Sequence, residues 1–329
     1  VALLPGSVAM KILITGASGF IGSAFLHRFA DNSDLELCGV GRRPLKNLPP
    51  TVRYHALPLA QLARLDVTPD VVIHAAGRTS PWGSPQDYTR DNVETTRQVI
   101  DFCTQRGLPR LILLSSAAVY YRFAHRFALH ESETIGPTFT GEYGRSKYQA
   151  EELVQAYRGE KTVLRPCAVF GEGDRLLFPP LLAAARKGQL VRLQHDTTPA
   201  QADIMPVDML CDYLLRAARH PQLRDCYNVS AGQPMETARL LDEVLRQLAL
   251  PLPEKTVKLA TALRVAGALE WLWRWLPLAG EPPITRFGVA VFGYAATLDV
   301  TALREDFGPP AQDVSRSLQD FLQHYRTLN

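Results

Sequence analysis

Several things are scarce in this chain. No stretch reaches the roughly 18 consecutive apolar residues that span a bilayer. The start, "VALLPGSVAM", has no basic region followed by a long apolar run, so no signal peptide is expected there. The fold argument therefore begins at Met10, which opens "KILITGASG". Cysteine is sparse: Cys38, Cys103, Cys167, Cys211 and Cys226 are scattered, with no paired or metal-type spacing. A disulfide framework is excluded, and reduced thiols in a cytoplasmic protein are expected, mostly as small core residues. A charge excess is lacking too. Thirty-six Lys plus Arg face 33 Asp plus Glu, a net +3, which gives no case for nucleic acid as the main partner. No second His or carboxylate stands at ligand spacing from His74, so no metal is expected. There is no internal repeat and no low-complexity tract.

What is present is apolar and alternating. Of 329 residues, 46% are hydrophobic, enough for a sizeable core. "KILITG", "LELCGV", "VVIHAAG", "RLILLSS" and "KTVLRPCAVFG" read as buried strands. Between them, "SAFLHRFADN", "DNVETTRQVIDFCTQRG" and "YGRSKYQAEELVQAYRG" read as helices, the last two stopped by Gly107 and Gly159. Apolar strands alternating with amphipathic helices predict an α/β fold, a doubly wound parallel Rossmann-type sheet. After Gly171 the pattern becomes mixed and loop-rich, with "CYNVS" as one more sheet strand. The expected division is a dinucleotide-binding domain over 10–171, with 203–230 returning to it, and a mainly substrate-binding lobe over 172–329.

Two features carry the chemistry. "TGASGFIG" sets Gly16, Gly19 and Gly22 three apart between a strand and a helix. Glycines there let the backbone approach a pyrophosphate, and the helix N-terminus offers it unpaired N–H groups. The second strand ends "VGRR", without the acid that would hold a ribose 2′-OH. Arg42 and Arg43 suit a 2′-phosphate, which favours NADP(H) over NAD(H). "EYGRSK" then places Tyr143 and Lys147 four apart, on one helix face. An ammonium beside a phenol lowers its pKa from about 10. Ser115 and Ser116 end a strand at the carboxyl edge of the sheet, where ligands bind in such folds.

Together these residues resemble an extended short-chain dehydrogenase/reductase, the superfamily of nucleotide-sugar epimerases and dehydratases. "TGASGFIG", "HAAG", "DNVETT", "SSAAVY", "YGRSK", "LRPCAVFG" and "YNVS" occur in that family's order. "RTSPWGSPQDYTRDNVETT" and "EPPITRFGVAVFGYAATLDVTALREDFG" look more like the 3β-hydroxysteroid dehydrogenase-like branch, with its 2-alkyl-3-oxoalkanoate reductases. The resemblance implies a catalytic set of Ser116, Tyr143 and Lys147, and a structural Asn92. It implies a cofactor bordered by Gly16, Ser18, Gly19, Phe20, Ile21, Gly22, Arg42, Arg43, Ala75, Ala76, Gly77, Tyr143, Lys147, Pro166 and Val169. It also implies a homodimer built on the helices around Asn92–Gln105 and Tyr143–Tyr157. The chain departs from the pattern at three places. No acid lies near "YHALPL", Phe170 stands for a Tyr, and Arg122 stands for a Gly.

The expected activity is oxidoreduction between a secondary alcohol and a ketone, on an apolar or mixed small-molecule substrate. Two rivals stand beside it, a nucleotide-sugar epimerase or dehydratase and a non-catalytic dinucleotide sensor. A sugar diphosphate needs cations; Arg175, Arg186, Lys187, Arg192 and Arg216 are candidates but form no cluster in sequence. Nothing selects among His125, His130, His195, Arg122, Arg126 and Arg175 as substrate contacts. "LEWLWRWLPL" puts Trp271 and Trp275 on one helical face. That helix could line an apolar pocket, pack the small lobe, or make peripheral contact with a membrane.

Overall fold

The computed structural model describes residues 9–45, 47–194, 198–276 and 278–328; His195 lies outside them. Seven strands form one parallel sheet: β1 (Met10–Thr15), β2 (Leu35–Gly41), β3 (Arg53–Ala56), β4 (Val71–His74), β5 (Arg110–Leu114), β6 (Lys161–Pro166) and β7 (Cys226–Val229). Their spatial order is β7-β6-β5-β4-β1-β2-β3. The chain winds outward from β1 in both directions. A crevice therefore opens beyond the carboxyl ends of β1 and β4, paired with Thr15 against His74.

Burial explains the alternation seen in the sequence. Ile12, Ile14, Ile73, Ile112 and Leu164 face one layer with Phe25 and Leu26. Leu13, Val72, Leu111 and Val163 face the other with Val99, Phe102 and Val154. Two-sided burial is what continuous apolar strands require. Helix α1 (Phe20–Phe29) packs with Val207–Arg219 on one side; α2 (Thr95–Gln105) packs with α3 (Glu142–Gln155) on the other.

"CYNVS" joins the sheet as expected, pairing with β6. The edge strand β3 went unread in the sequence because its residues are half-exposed and show no apolar run. The "KTVLRPCAVFG" strand is broken at Cys167; its second part, Ala168–Phe170, pairs instead with Ile204–Pro206. A smaller four-stranded sheet runs Met235–Glu236, Gln201–Ala202, Ala296–Leu298, Arg126–Leu129. So a segment from the first 171 residues reaches across to the C-terminal half. The Trp-rich helix Leu259–Trp275 packs on the helix Arg286–Gly293. Among the described residues, no helix is long and apolar enough to cross a membrane.

Candidate active site

The first turn is dictated by backbone space. Gly16 has φ +70°, and a Cβ there would lie 2.7 Å from the Ala76 Cα and N. Only glycine accepts both conditions. The turn delivers the chain to α1, whose N-cap Gly19 has no capping side chain. The first helical N–H groups are left for an anion in the cleft.

Around this turn lies a cleft of about 2240 Å³. Small-molecule pockets usually measure roughly 300–1,000 Å³, so this one has room for a dinucleotide and a second ligand. Every residue expected to border the cofactor lines it, as does Ser116. Arg42 and Arg43 project at the end of β2, and Arg43 Nη2 donates to the Ser18 carbonyl at 2.9 Å. Leu57 and Leu59 line the β3 side, where the family's acid is missing from the sequence.

The motif "SSAAVYY" divides cleanly. Ser115 turns into the core and donates to Glu151 Oε1 at 2.5 Å. Glu151 pairs with Arg165 at 2.6 Å, both buried. Arg165 Nη1 in turn donates to Tyr120 Oη at 2.5 Å, and Tyr120 Oη donates to Asn228 Oδ1 at 2.9 Å. That network packs the protein and none of its hydroxyls is free for a ligand. Ser116 instead caps a short turn, accepting from Ala118 N at 3.1 Å, and its own proton remains for the cleft.

Tyr143 and Lys147 rise from the start of α3 into the same cleft. Burial holds the Tyr143 phenol above its ordinary value, and its interaction with the Ser116 hydroxyl draws it back down. The Lys147 ammonium donates to the Leu114 carbonyl at 2.8 Å. Burial lowers its own pKa to about 8, against the opposing charge of Glu151. Desolvation is the largest influence on both groups because each is enclosed by the protein.

Asn92 lies in a widened helical turn, Thr89–Glu94, before α2. Its Oδ1 accepts from Arg78 N at 2.6 Å and its Nδ2 donates to Ser146 Oγ at 2.8 Å, which fastens α3 to the Gly77 loop. His74 is enclosed between Thr15 Oγ1, 2.7 Å away, and Thr96 Oγ1, 3.0 Å away. Burial and the charge of Lys147 lower its pKa to about 3, so it stays neutral.

Sequence reasoning missed the opposite wall. Phe287, Val291 and Phe292, from Arg286–Gly293, line the cleft with Tyr121. The Phe287 ring lies 6.1 Å from both Tyr121 and Tyr143. The stretch "EPPITRFGVAVFGY" was the only signal for it. Of the cations weighed for a sugar diphosphate, Arg175 alone lines the cleft. Arg192 pairs with Asp242, Arg216 caps carbonyls at Phe307 and Pro309, and Arg186 rests on Tyr325. His125, His130, Arg122 and Arg126 do not line it. Arg122 donates to the Val119 and Tyr121 carbonyls and lies over Phe139.

A parallel seven-stranded sheet with a glycine turn at its switch point defines an NAD(P)-dependent extended short-chain dehydrogenase/reductase. The family model described as the NAD dependent epimerase/dehydratase family matches residues 12–230. The chain belongs to that family. It is 28% identical to a 2-alkyl-3-oxoalkanoate reductase of Stenotrophomonas maltophilia, across 91% of this chain and 94% of that one. It is 34% identical to a 3β-hydroxysteroid-dehydrogenase/decarboxylase isoform of Arabidopsis thaliana, across 79% and 64% respectively. Among solved structures, a dTDP-glucose 4,6-dehydratase of Streptomyces venezuelae superposes with a TM-score of 0.74 at 17% identity, covering 97% of both chains. That likeness shows the fold alone.

The residues present fit a dinucleotide. The Gly16 cradle leaves no space for a Cβ, the α1 N-terminus is uncapped, and the cleft continues unbroken from Arg42 to Lys147.

Proposed function

We propose that this protein is an NADP(H)-dependent reductase that interconverts a ketone and a secondary alcohol on an apolar substrate. The observation that carries the reading is the convergence of Ser116 and Tyr143 on one cleft wall, opposite Tyr121, Phe287 and Val291. Gly16–Gly22 would hold the pyrophosphate, and Arg42 and Arg43 the 2′-phosphate. Lys147 and the 75–77 strand end would lie beside the nicotinamide ribose. The bound cofactor supplies or accepts the hydride.

The remaining work falls to the chain. In reduction, Tyr143 Oη gives its proton to the substrate oxygen as negative charge develops there. Ser116 Oγ donates a hydrogen bond to the same oxygen, its lone pair already engaged by Ala118 N. The Lys147 ammonium, in the same cleft and charged below about pH 8, offsets the phenolate left behind. Asn92 holds α3 in register through Ser146. On this reading residues 10–171 and 203–230 serve the cofactor, 172–329 mainly shape the substrate side, and two copies associate through α2 and α3.

The names of the relatives support reduction of a ketone. A second, a ketoreductase of Stigmatella aurantiaca, is 23% identical across 91% of this chain. The epimerase or dehydratase reading is favoured by the family's description and the names of the structural neighbours, but of the cations weighed for a diphosphate only Arg175 lines the cleft. NADPH oxidation with a panel of 3-oxoacyl and alicyclic ketones tests both. One NADPH consumed per product, with Tyr143→Phe slower by roughly 10²–10⁴-fold and NADPH still bound, is the expected result. A Tyr143→Phe variant with full activity refutes the assignment.

A further inference from the structure

We propose that the outer face of the helix Leu259–Trp275 docks on an anionic lipid bilayer. The helix meets the rest of the protein through Ala262 and Ala266, packed with Val289, and through the half-buried Leu259 and Leu263. The opposite face carries Trp271 and Trp275, which are 62% and 70% exposed, and Val265 on the flank is 49% exposed. Leu276 and Leu278 continue the apolar surface beyond the helix end, also exposed. Trp273 is half-buried, its indole Nε1 enclosed. The sequence left three roles open for this helix; none of its residues lines the cleft, and Trp271 and Trp275 pack no core. Two indole rings held in water gain nothing by packing or by chemistry. A bilayer interface buries the ring and leaves the N–H among headgroups.

Charge selects the occupant. From Lys255 to Trp275 the chain has four basic residues, Lys255, Lys258, Arg264 and Arg274, and one acid, Glu270. All four bases are exposed. None has an ion-pair partner among the described residues, and Arg274 rests on the Trp82 ring. Glu270 is turned inward to accept from Arg286 N at 2.7 Å. Of the flanking acids, Glu254 precedes the segment and Glu281 accepts from Ser80 Oγ at 2.6 Å. A second copy laid on this face would oppose like charges. An anionic headgroup layer complements them, and the exposed apolar stripe enters it as an interfacial helix does.

The surface also adjoins the cleft. Ser80, which holds Glu281, lines the cleft mouth with Thr79 and Pro81. Docking would thus bring the mouth to the lipid surface, where apolar molecules concentrate. Vesicle binding itself does not depend on the ketone reading above.

The test is co-sedimentation of the full chain, at low salt, with phosphatidylcholine vesicles with and without phosphatidylglycerol. Binding is expected with the anionic vesicles and much less with phosphatidylcholine alone. Trp271→Ala with Trp275→Ala, and separately Arg264→Glu, should each lower the vesicle-bound to free ratio at least about tenfold. Circular dichroism and NADPH binding should stay unchanged, because these side chains pack nothing. Parent protein left in the supernatant overturns the proposal. So does a double Trp variant that binds as well as the parent. A parent dimer that the double variant converts to monomer assigns the face to a second copy, and overturns it as well.

Discussion

Gly16 and Gly19 lie in one turn, yet the structure separates their roles. At Gly16 an alanine meets two penalties. The left-handed φ of +70° costs an L-residue roughly 1–2 kcal/mol. Its Cβ would lie 2.7 Å from the Ala76 backbone and 2.8 Å from the Ala75 carbonyl carbon, and Ala76 N is itself tied to Thr15 Oγ1. Overpacking of that kind adds about 1–3 kcal/mol. The Gly16→Ala protein should therefore lose roughly 2–5 kcal/mol of stability, several degrees of Tm. At Gly19 the φ is an ordinary −90°, and a Cβ would approach only the Gly16 carbonyl, at 3.0 Å. The Gly19→Ala protein should keep its Tm within a degree or two. Its methyl, however, stands at the α1 N-terminus, where a pyrophosphate must come close, and NADPH should bind at least about tenfold more weakly. Thermal denaturation without ligand and fluorescence titration with NADPH read the two effects apart. Equal Tm losses in both variants with unchanged NADPH affinity at Gly19 would refute the reasoning.

Lys147 gives a pH prediction. Its ammonium is lost as pH rises through about 8, so reductive kcat/KM should be flat below that value and fall above it. In Lys147→Met the fall should vanish along with most of the rate. His74 governs acid stability. Its folded pKa of about 3 lies below the unfolded value of 6.5, so the unfolded chain binds the extra proton between them. Stability should fall by roughly 1.4 kcal/mol per pH unit from about pH 6 toward 3, and His74→Gln should flatten that slope in denaturant titrations. The two serines should part company. Ser116→Ala should lower turnover with little change in Tm. Glu151→Ala should cost about 3–5 kcal/mol of stability by leaving Arg165 buried without its carboxylate, and Ser115→Ala should follow it in kind at smaller size. Arg42→Ala with Arg43→Ala should weaken NADPH far more than NADH in thermal shift; equal losses would undo the 2′-phosphate reading.

The sequence by itself determined what depends on neighbours along the chain. Two-sided apolar runs identified most of the parallel strands, because a strand buried on both faces has no polar alternation. The glycine turn and the Tyr143–Lys147 pair were legible because a strand–turn–helix and a helical repeat of four are local geometries. Even β7 was visible, as "CYNVS". The short strands of the smaller four-stranded sheet were not, because they are fixed by pairing with segments far away, as Arg126–Leu129 is by Ala296–Leu298. Only the tertiary structure gave the two serines of "SSAAVYY" their separate partners. Ser115 and Ser116 are adjacent and both border the cleft, but Ser115 Oγ donates to Glu151 while Ser116 Oγ accepts from Ala118 N. It buried the Tyr143 phenol beside the Ser116 hydroxyl. It brought Phe287 across from the C-terminal half to face Tyr143. It also turned Trp271 and Trp275 outward, since a helix has two faces and only the packing of Ala262 and Ala266 settles which one is covered.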